Sequence, residues 1–245
     1  MEQPIAVVGC APVARPWTVR EFMVIWLAGV VGTVVLGSAA LVFGNDDMVV
    51  LFGLAGQYLG NLGVFWLYRR EGREDVGFRV EGSDFVYVGL GVIFQIAIAL
   101  LFLPLTRLLF PEGETAQEVV DMITEATSLG MKLTVLLAAV LFAPVTEELM
   151  FRGVLLKALE RRGRRFALMV SALVFAAAHL LGLDTTAYWQ SAVVVLPQVF
   201  LLGLVLAWVT QRSGRLGPAI LLHSGFNLLA ALLLLIPPDL LEQVV

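Results

Sequence analysis

Apolar residues run through this chain in long blocks, interrupted by short polar segments where arginines or acidic residues collect. Seven blocks reach the ~20 residues that a helix needs to cross the ~30 Å hydrocarbon layer of a bilayer. They are Glu21–Phe43, Met48–Tyr68, Phe85–Phe110, Met131–Lys157, Phe166–Gly182, Ala187–Thr210 and Gly217–Ile236. The connections are short, with no low-complexity linker, no defensible internal repeat and no room for a separate soluble domain. The pattern therefore predicts an all-α fold, a polytopic transmembrane helical bundle in which residues 1–245 form a single integral membrane domain. One segment differs. Thr115 and Glu118 have the capping-box spacing, and Val119, Val120, Met122, Ile123 and Ala126 then fall roughly on one helical face. Thr115–Leu129 is expected to be a short amphipathic helix lying at the membrane interface, with an ordinary loop helix as the alternative.

Composition strengthens the membrane reading. Apolar residues make up 59% of the chain and charged residues 15%, against about 25% charged in a soluble domain, and the mean hydropathy is +0.90. The net charge of -4 gives no footprint for nucleic acid. A lone cysteine, Cys10, excludes an intramolecular disulfide framework. Met1–Ala6 contain neither a basic start nor a long apolar run, so no cleavable leader is expected and the first apolar helix is expected to act as the insertion signal.

Basic residues alternate in position. Arg15 and Arg20, then Arg69, Arg70, Arg73 and Arg79, then Lys157, Arg161, Arg162, Arg164 and Arg165, then Arg212 and Arg215 occupy one set of segments. The other set holds only Arg107 and Lys132 amid many acids. The positive-inside rule then places the N-terminus in the cytoplasm and the C-terminus outside. Fourteen arginines against two lysines suit a GC-rich genome, hence a prokaryotic cell membrane.

Ionisable groups inside an apolar span cost roughly 2.5–3.5 kcal/mol each on insertion scales, so each calls for a reason. They concentrate in the second half: Glu147, Glu148 and Arg152 in the fourth span, His179 in the fifth, His223 with Asn227 in the seventh. Both histidines of the chain lie in apolar helices. Glu148 and Arg152 are four apart and can pair on one helix face. Glu147 is rotated by roughly 100° and left without that partner, available as a general base. Pro144 cannot donate to the carbonyl of Val140, which offers a local break beside Glu147. His223 and Asn227, also four apart, present an imidazole and an amide to one spot, suited to a developing oxyanion. Asn227 has a second reading as a bridge between helices. Gln57, Asn61, Gln95 and Gln198 read as interhelical hydrogen bonders, and Gly29, Gly32, Gly37, Gly60 and Gly63 as close-packing positions.

This constellation resembles the CAAX protease and bacteriocin-processing family, which includes the type II CAAX prenyl endopeptidases. The resemblance rests on Glu147-Glu148 with Arg152, Phe175 with His179, and His223 with Asn227, in order on separate helices. It covers roughly Met131 to Ile236, so residues 131–236 are expected to be the catalytic core; the first three spans carry none of it. It implies intramembrane hydrolysis of a peptide bond near the C-terminus or leader of a membrane-associated or lipidated substrate. In that reading Glu147 and His179 activate water, His223 and Asn227 form the oxyanion site, and Glu148, Arg152 and Phe175 support them. Two schemes stay open on metal. A scheme with no cofactor is favoured, because it employs every residue. The alternative is zinc held by Glu147, His179 and His223, three protein ligands with the fourth position left for water.

A transporter would also place charges at mid-membrane, but it usually shows paired repeats or broken helices in both halves, whereas the polar residues here sit in one. A non-catalytic scaffold or bacteriocin-immunity protein retaining the fold is the alternative function, and it has no physical need for the buried set.

The arginine alternation predicts that a cysteine at position 163, in a Cys10→Ser background, is labelled by membrane-impermeant maleimide only after cells are opened. Labelling in intact cells would reverse the orientation.

Overall fold

The computed structural model describes residues 14–43, 46–111, 128–183 and 185–234, and its regular structure there is helical, without strands. The helices are α1 (Val19–Ala40), α2 (Asp46–Arg70), α3 (Val86–Leu109), α4 (Leu129–Glu160), α5 (Arg164–Ala178, extended by a 3₁₀ turn His179–Gly182), α6 (Tyr188–Ser213) and α7 (Gly217–Leu234). The first six are long and apolar enough to span a membrane, and α7 adds a shorter apolar helix. The chain is an integral membrane protein. The amphipathic helix expected at Thr115–Leu129 lies, up to residue 127, outside the described residues.

Helix ends run past the apolar blocks because polar residues can continue a helix they do not help to bury. Thr18 and Glu21 form a capping box that starts α1 two residues before its apolar block. Ser128 Oγ accepts from Met131 N–H at 3.1 Å and starts α4 at Leu129. Arg164 opens α5 and Arg212 lies in the last turn of α6, within the helices rather than in loops.

The helices pack in pairs, α1 on α2, α3 on α7 and α5 on α6, around the second half of α4. Glycine sets the closest approaches. A methyl on Gly32 would collide with the Gly56 carbonyl and one on Gly60 with the Ala28 carbonyl, while Gly91 and Gly225 let the backbones of α3 and α7 touch. Gly63, expected to pack closely, has nothing within 4 Å of where a methyl would stand. Asn61 packs over Gly29, yet Asn61 Oδ1, like Gln95 Oε1, is buried without a hydrogen-bond partner among the described residues. The bonds expected of these two oxygens are therefore not made.

Lipid-facing and core positions separate cleanly. Val31, Val34, Val35, Leu59, Leu100, Leu101 and Leu173 are exposed on the bundle's outside, where acyl chains replace protein. By contrast Leu149–Leu156 of α4 are buried on every side, the mark of a central helix. The segment after α2 braces this core at the arginine-bearing end. Glu74 N–H donates to Arg15 O at 2.8 Å, Lys157 Nζ to Asp75 O at 2.8 Å, and Leu216 N–H to Gly77 O at 2.9 Å. Gly77 makes this approach possible, with φ +75° and a would-be Cβ 2.8 Å from Gly214 O. Arg73 pairs with Glu21, and Val76 is buried against Gly153. The starts of α1 and α7 are thereby tied to the end of α4.

Gly91→Ala, which sets a methyl against the backbone of α7, should lower the unfolding temperature in detergent. Gly63→Ala should leave it unchanged or raise it, since alanine favours a helix by about 1 kcal/mol over glycine. Equal midpoints for the two variants would contradict the packing of α3 on α7.

Candidate active site

The site is built on an irregular helix. In α4, Ala138–Phe142 and Leu149–Leu156 are wound as π-helix, with the α-helical stretch Ala143–Glu148 between them. Such π segments insert a wide turn into a helix and recur at functional sites. The first lies directly before Pro144, whose missing N–H cannot sustain the regular ladder. There the N–H of Ala143 donates to Ala138 O, five residues back. The break expected beside Glu147 is present, in the form of a widened turn.

The two adjacent glutamates have different surroundings. The Glu148 side chain is 0% exposed and that of Glu147 26% exposed. Glu148 Oε1 accepts from Arg152 Nη1 at 3.1 Å and meets His223 Nδ1 at 3.0 Å. Arg152, wholly buried, also donates from Nη2 to Gly203 O of α6 at 3.2 Å and lays its guanidinium 4.3 Å over the Phe175 ring. The ion pair expected from the four-residue spacing is thus present, but Glu148 serves a histidine from another helix as well.

That second contact orients His223. A carboxylate accepts and does not donate, so Nδ1 carries a proton toward Glu148. The other ring nitrogen, Nε2, lies 3.9 Å from Glu147 Oε2. This is too long for a direct hydrogen bond, but an oxygen atom about 2.8 Å from each fits between them. Glu147 Oε2 is itself buried and has no hydrogen-bond partner among the described residues.

His179 joins the group through Phe175. The α-helical ladder of α5 ends at Ala178, and the His179 N–H turns to the carbonyls of Ala176 and Ala177. The leftover carbonyl of Phe175 is met by His179 Nδ1 at 2.9 Å. A carbonyl only accepts, so Nδ1 donates and the lone pair of the neutral ring sits on Nε2. The Phe175 ring lies edge-on to His179 at 4.8 Å and to His223 at 5.8 Å, so one aromatic ring spaces both histidines. Asn227 Nδ2 donates to Ala139 O of α4 at 2.8 Å, a contact that bridges the two helices and uses one of the two N–H groups of its amide.

A zinc site needs three protein ligands converging on one point. Among the described residues no three His, Cys, Asp or Glu side chains form such a group. Glu147 Oε2 and His223 Nε2 are 3.9 Å apart, and His179 and His223 both pack edge-on to the Phe175 ring. In this arrangement the set Glu147, His179 and His223 does not fit a zinc ion.

Residues 129–229 match the family model described as type II CAAX prenyl endopeptidase Rce1-like. No curated protein and no solved structure matches the chain. The Rce1-like domain runs from the start of α4 into α7 and includes Glu147, Glu148, Arg152, Phe175, His179, His223 and Asn227. The match points to a CAAX-type protease, here embedded in a membrane. The sequence did not single out Gly203 or Ala139, since each contributes only a backbone carbonyl; Pro144 was the one signal that a carbonyl near Ala139 needs an outside donor.

Glu148→Gln removes the charge that holds both Arg152 and His223 in a dry setting. Breaking a buried pair by losing one partner costs about 3–5 kcal/mol, so this variant should unfold well below wild type in thermal melts. Glu147→Gln, partly exposed and unpaired, should melt close to wild type. Indistinguishable midpoints for the two variants would contradict the division between them.

Proposed function

We propose that this chain is an intramembrane endopeptidase that hydrolyses a peptide bond near the C-terminus or leader of a membrane-associated substrate. The observation that carries the reading is the partly exposed Glu147, with one carboxylate oxygen unbonded and 3.9 Å from His223 Nε2, inside an Rce1-like domain. Glu148 also leaves one oxygen unbonded, Oε2, but its Oε1 meets both Arg152 and His223 and its side chain is wholly buried.

In the proposed reaction a water lies between Glu147 and the scissile carbonyl. Glu147 takes its proton while the water oxygen bonds to the carbonyl carbon. His223 donates from Nε2 to the oxyanion, with Nδ1 held by Glu148, and Asn227 donates its second amide N–H to the same oxygen. Glu147 then returns its proton to the leaving amine as the carbon–nitrogen bond breaks. His179 helps hold the water through Nε2. The surrounding apolar side chains keep bulk water out, so these charges act at low dielectric. No metal takes part in this scheme. Zinc is the alternative that the family resemblance keeps open.

The test uses purified protein in nanodiscs and a membrane-anchored, lipidated peptide ending in a CAAX sequence, with mass spectrometry of the products. Wild type should release a C-terminal fragment, retain activity after exhaustive chelation and contain no stoichiometric metal. Glu147→Ala should fall by at least about 100-fold, the scale of a lost general base. Undiminished cleavage by Glu147→Ala would overturn the assignment, and activity lost to chelator and restored by zinc would overturn the metal-free scheme. Comparative membrane proteomics of wild type against Glu147→Ala should reveal the accumulating natural precursor.

A further inference from the structure

We infer that the cleft between the start of α5 and the end of α6 binds the phosphate of an anionic phospholipid, gripped by Arg164 and Arg212 with Trp208 at its membrane edge. The inference goes beyond the proposed hydrolysis and does not rest on it.

The charges at the arginine-bearing end of the bundle fall into two groups. Arg69, Arg73, Arg79 and Arg215 each pair with at least one carboxylate. Arg161, Arg162, Arg164 and Arg165 at the junction of α4 and α5, with Arg212 of α6, form no ion pair among the described residues, and neither does Glu160 beside them. The second group is therefore a positive patch that the protein does not neutralise. The positive-inside bias accounts for basic residues at this end, but not for how two of them are held.

Arg164 and Arg212, together with Trp208 and Gln211, line a cleft of about 240 Å³. Its two walls are clipped to each other: Arg164 Nη2 donates to Gln211 O at 2.8 Å, and Gln211 Nε2 donates to Arg164 O at 3.0 Å. A guanidinium carries five N–H donors, so Arg164 keeps four for a ligand. Arg212 stands 6.0 Å from the Trp208 ring and donates to no acceptor among the described residues. Two guanidiniums with donors to spare on one small cleft suit the oxygens of a phosphate.

The surroundings of the cleft point to a lipid as the source of that phosphate. Trp208 is 54% exposed, and tryptophan belongs to the headgroup level of a bilayer. Leu201, Leu204 and Val205 continue the Trp208 face of α6 toward the membrane centre, and all three are half-buried. A phosphate held by the two arginines thus has an aromatic ring and then an apolar stripe below it, the order of headgroup, glycerol and acyl chain. The cleft is smaller than the ~300–1,000 Å³ that encloses a drug-sized ligand, so it takes the headgroup and leaves the chains in the bilayer. On α2, Arg70 follows Trp66 at the same four-residue spacing, yet its guanidinium stacks on the ring at 3.3 Å. That pair supplies a control with the same residue types and the same change of charge.

Native mass spectrometry of the full chain in detergent, titrated with phosphatidylglycerol or phosphatidylcholine, tests the inference. Wild type should bind one phosphatidylglycerol at least about fivefold more tightly than phosphatidylcholine, and millimolar inorganic phosphate should not displace it. Arg212→Gln, at an exposed position, should weaken phosphatidylglycerol binding by about fivefold, the scale of one arginine at an anionic surface. The double variant Arg164→Gln with Arg212→Gln should bind the two lipids alike, while Arg70→Gln should stay within about twofold of wild type. Equal affinity of wild type for the two lipids, or equal losses from Arg70→Gln and Arg212→Gln, would overturn the inference. Displacement of the lipid by inorganic phosphate would overturn it too, by making the cleft a site for a soluble anion. No readout here involves cleavage, so a protein that hydrolyses nothing refutes the proposed function and leaves the lipid site separately decided.

Discussion

A carboxylate sealed from water, Glu148, holds an arginine of its own helix on one side and a histidine of α7 on the other. The rest of the site takes its position from this contact. Arg152 reaches from it to the Gly203 carbonyl of α6 and covers Phe175 of α5, so one charge cluster registers four helices against each other. In hydrocarbon the hydrophobic effect does not discriminate between protein and lipid neighbours, and register must come from close packing and polar contacts. Glycine supplies the first along α1–α2 and α3–α7. The Glu148 cluster supplies the second around α4.

The same scarcity of water explains why a disturbed helix is tolerated here. A proline in α4 removes a donor where nothing solvent-borne can replace it. The chain answers with a wide turn at Ala138–Phe142 and an amide from α7 on Ala139 O. The irregular backbone sits directly before Glu147, the carboxylate left partly exposed, while the helix beyond Glu148 is buried on every side. Stability and reactivity are thus assigned to adjacent residues. Glu148 is bound twice through Oε1 and wholly buried; the Glu147 side chain is partly exposed, with its Oε2 buried and unbonded.

How much of this was legible in the sequence follows from distance along the chain. The spanning helices were, because a bilayer imposes one length and one polarity on each. Their ends were not, because Arg164, Arg212 and Thr18 continue or cap helices that apolar counting stops short of. The pairs four apart, Glu148 with Arg152 and Phe175 with His179, were legible because helix geometry alone brings them together. The contact of Glu148 with His223 was not, since it joins residues 75 apart and exists only once α4 and α7 are packed. Asn227 illustrates the boundary. Its spacing from His223 suggested a shared target, and packing adds what spacing cannot show, a bond from its amide to a carbonyl on α4. Gly32 and Gly63 look alike in sequence, and only the facing helix distinguishes the glycine that packs from the one that meets open space.

The central claim is that Glu148 fixes the His223 ring so that its far nitrogen faces Glu147. Because the chain has only two histidines, ¹⁵N NMR of histidine-labelled protein in nanodiscs reads this directly, with each ring assigned by substituting the other. The expected result is a proton on His223 Nδ1 whose signal moves in Glu148→Gln, a His223 Nε2 signal that moves in Glu147→Gln, and a His179 ring indifferent to Glu148→Gln. A His223 ring without a proton on Nδ1, or one whose signals ignore Glu148→Gln, would contradict it.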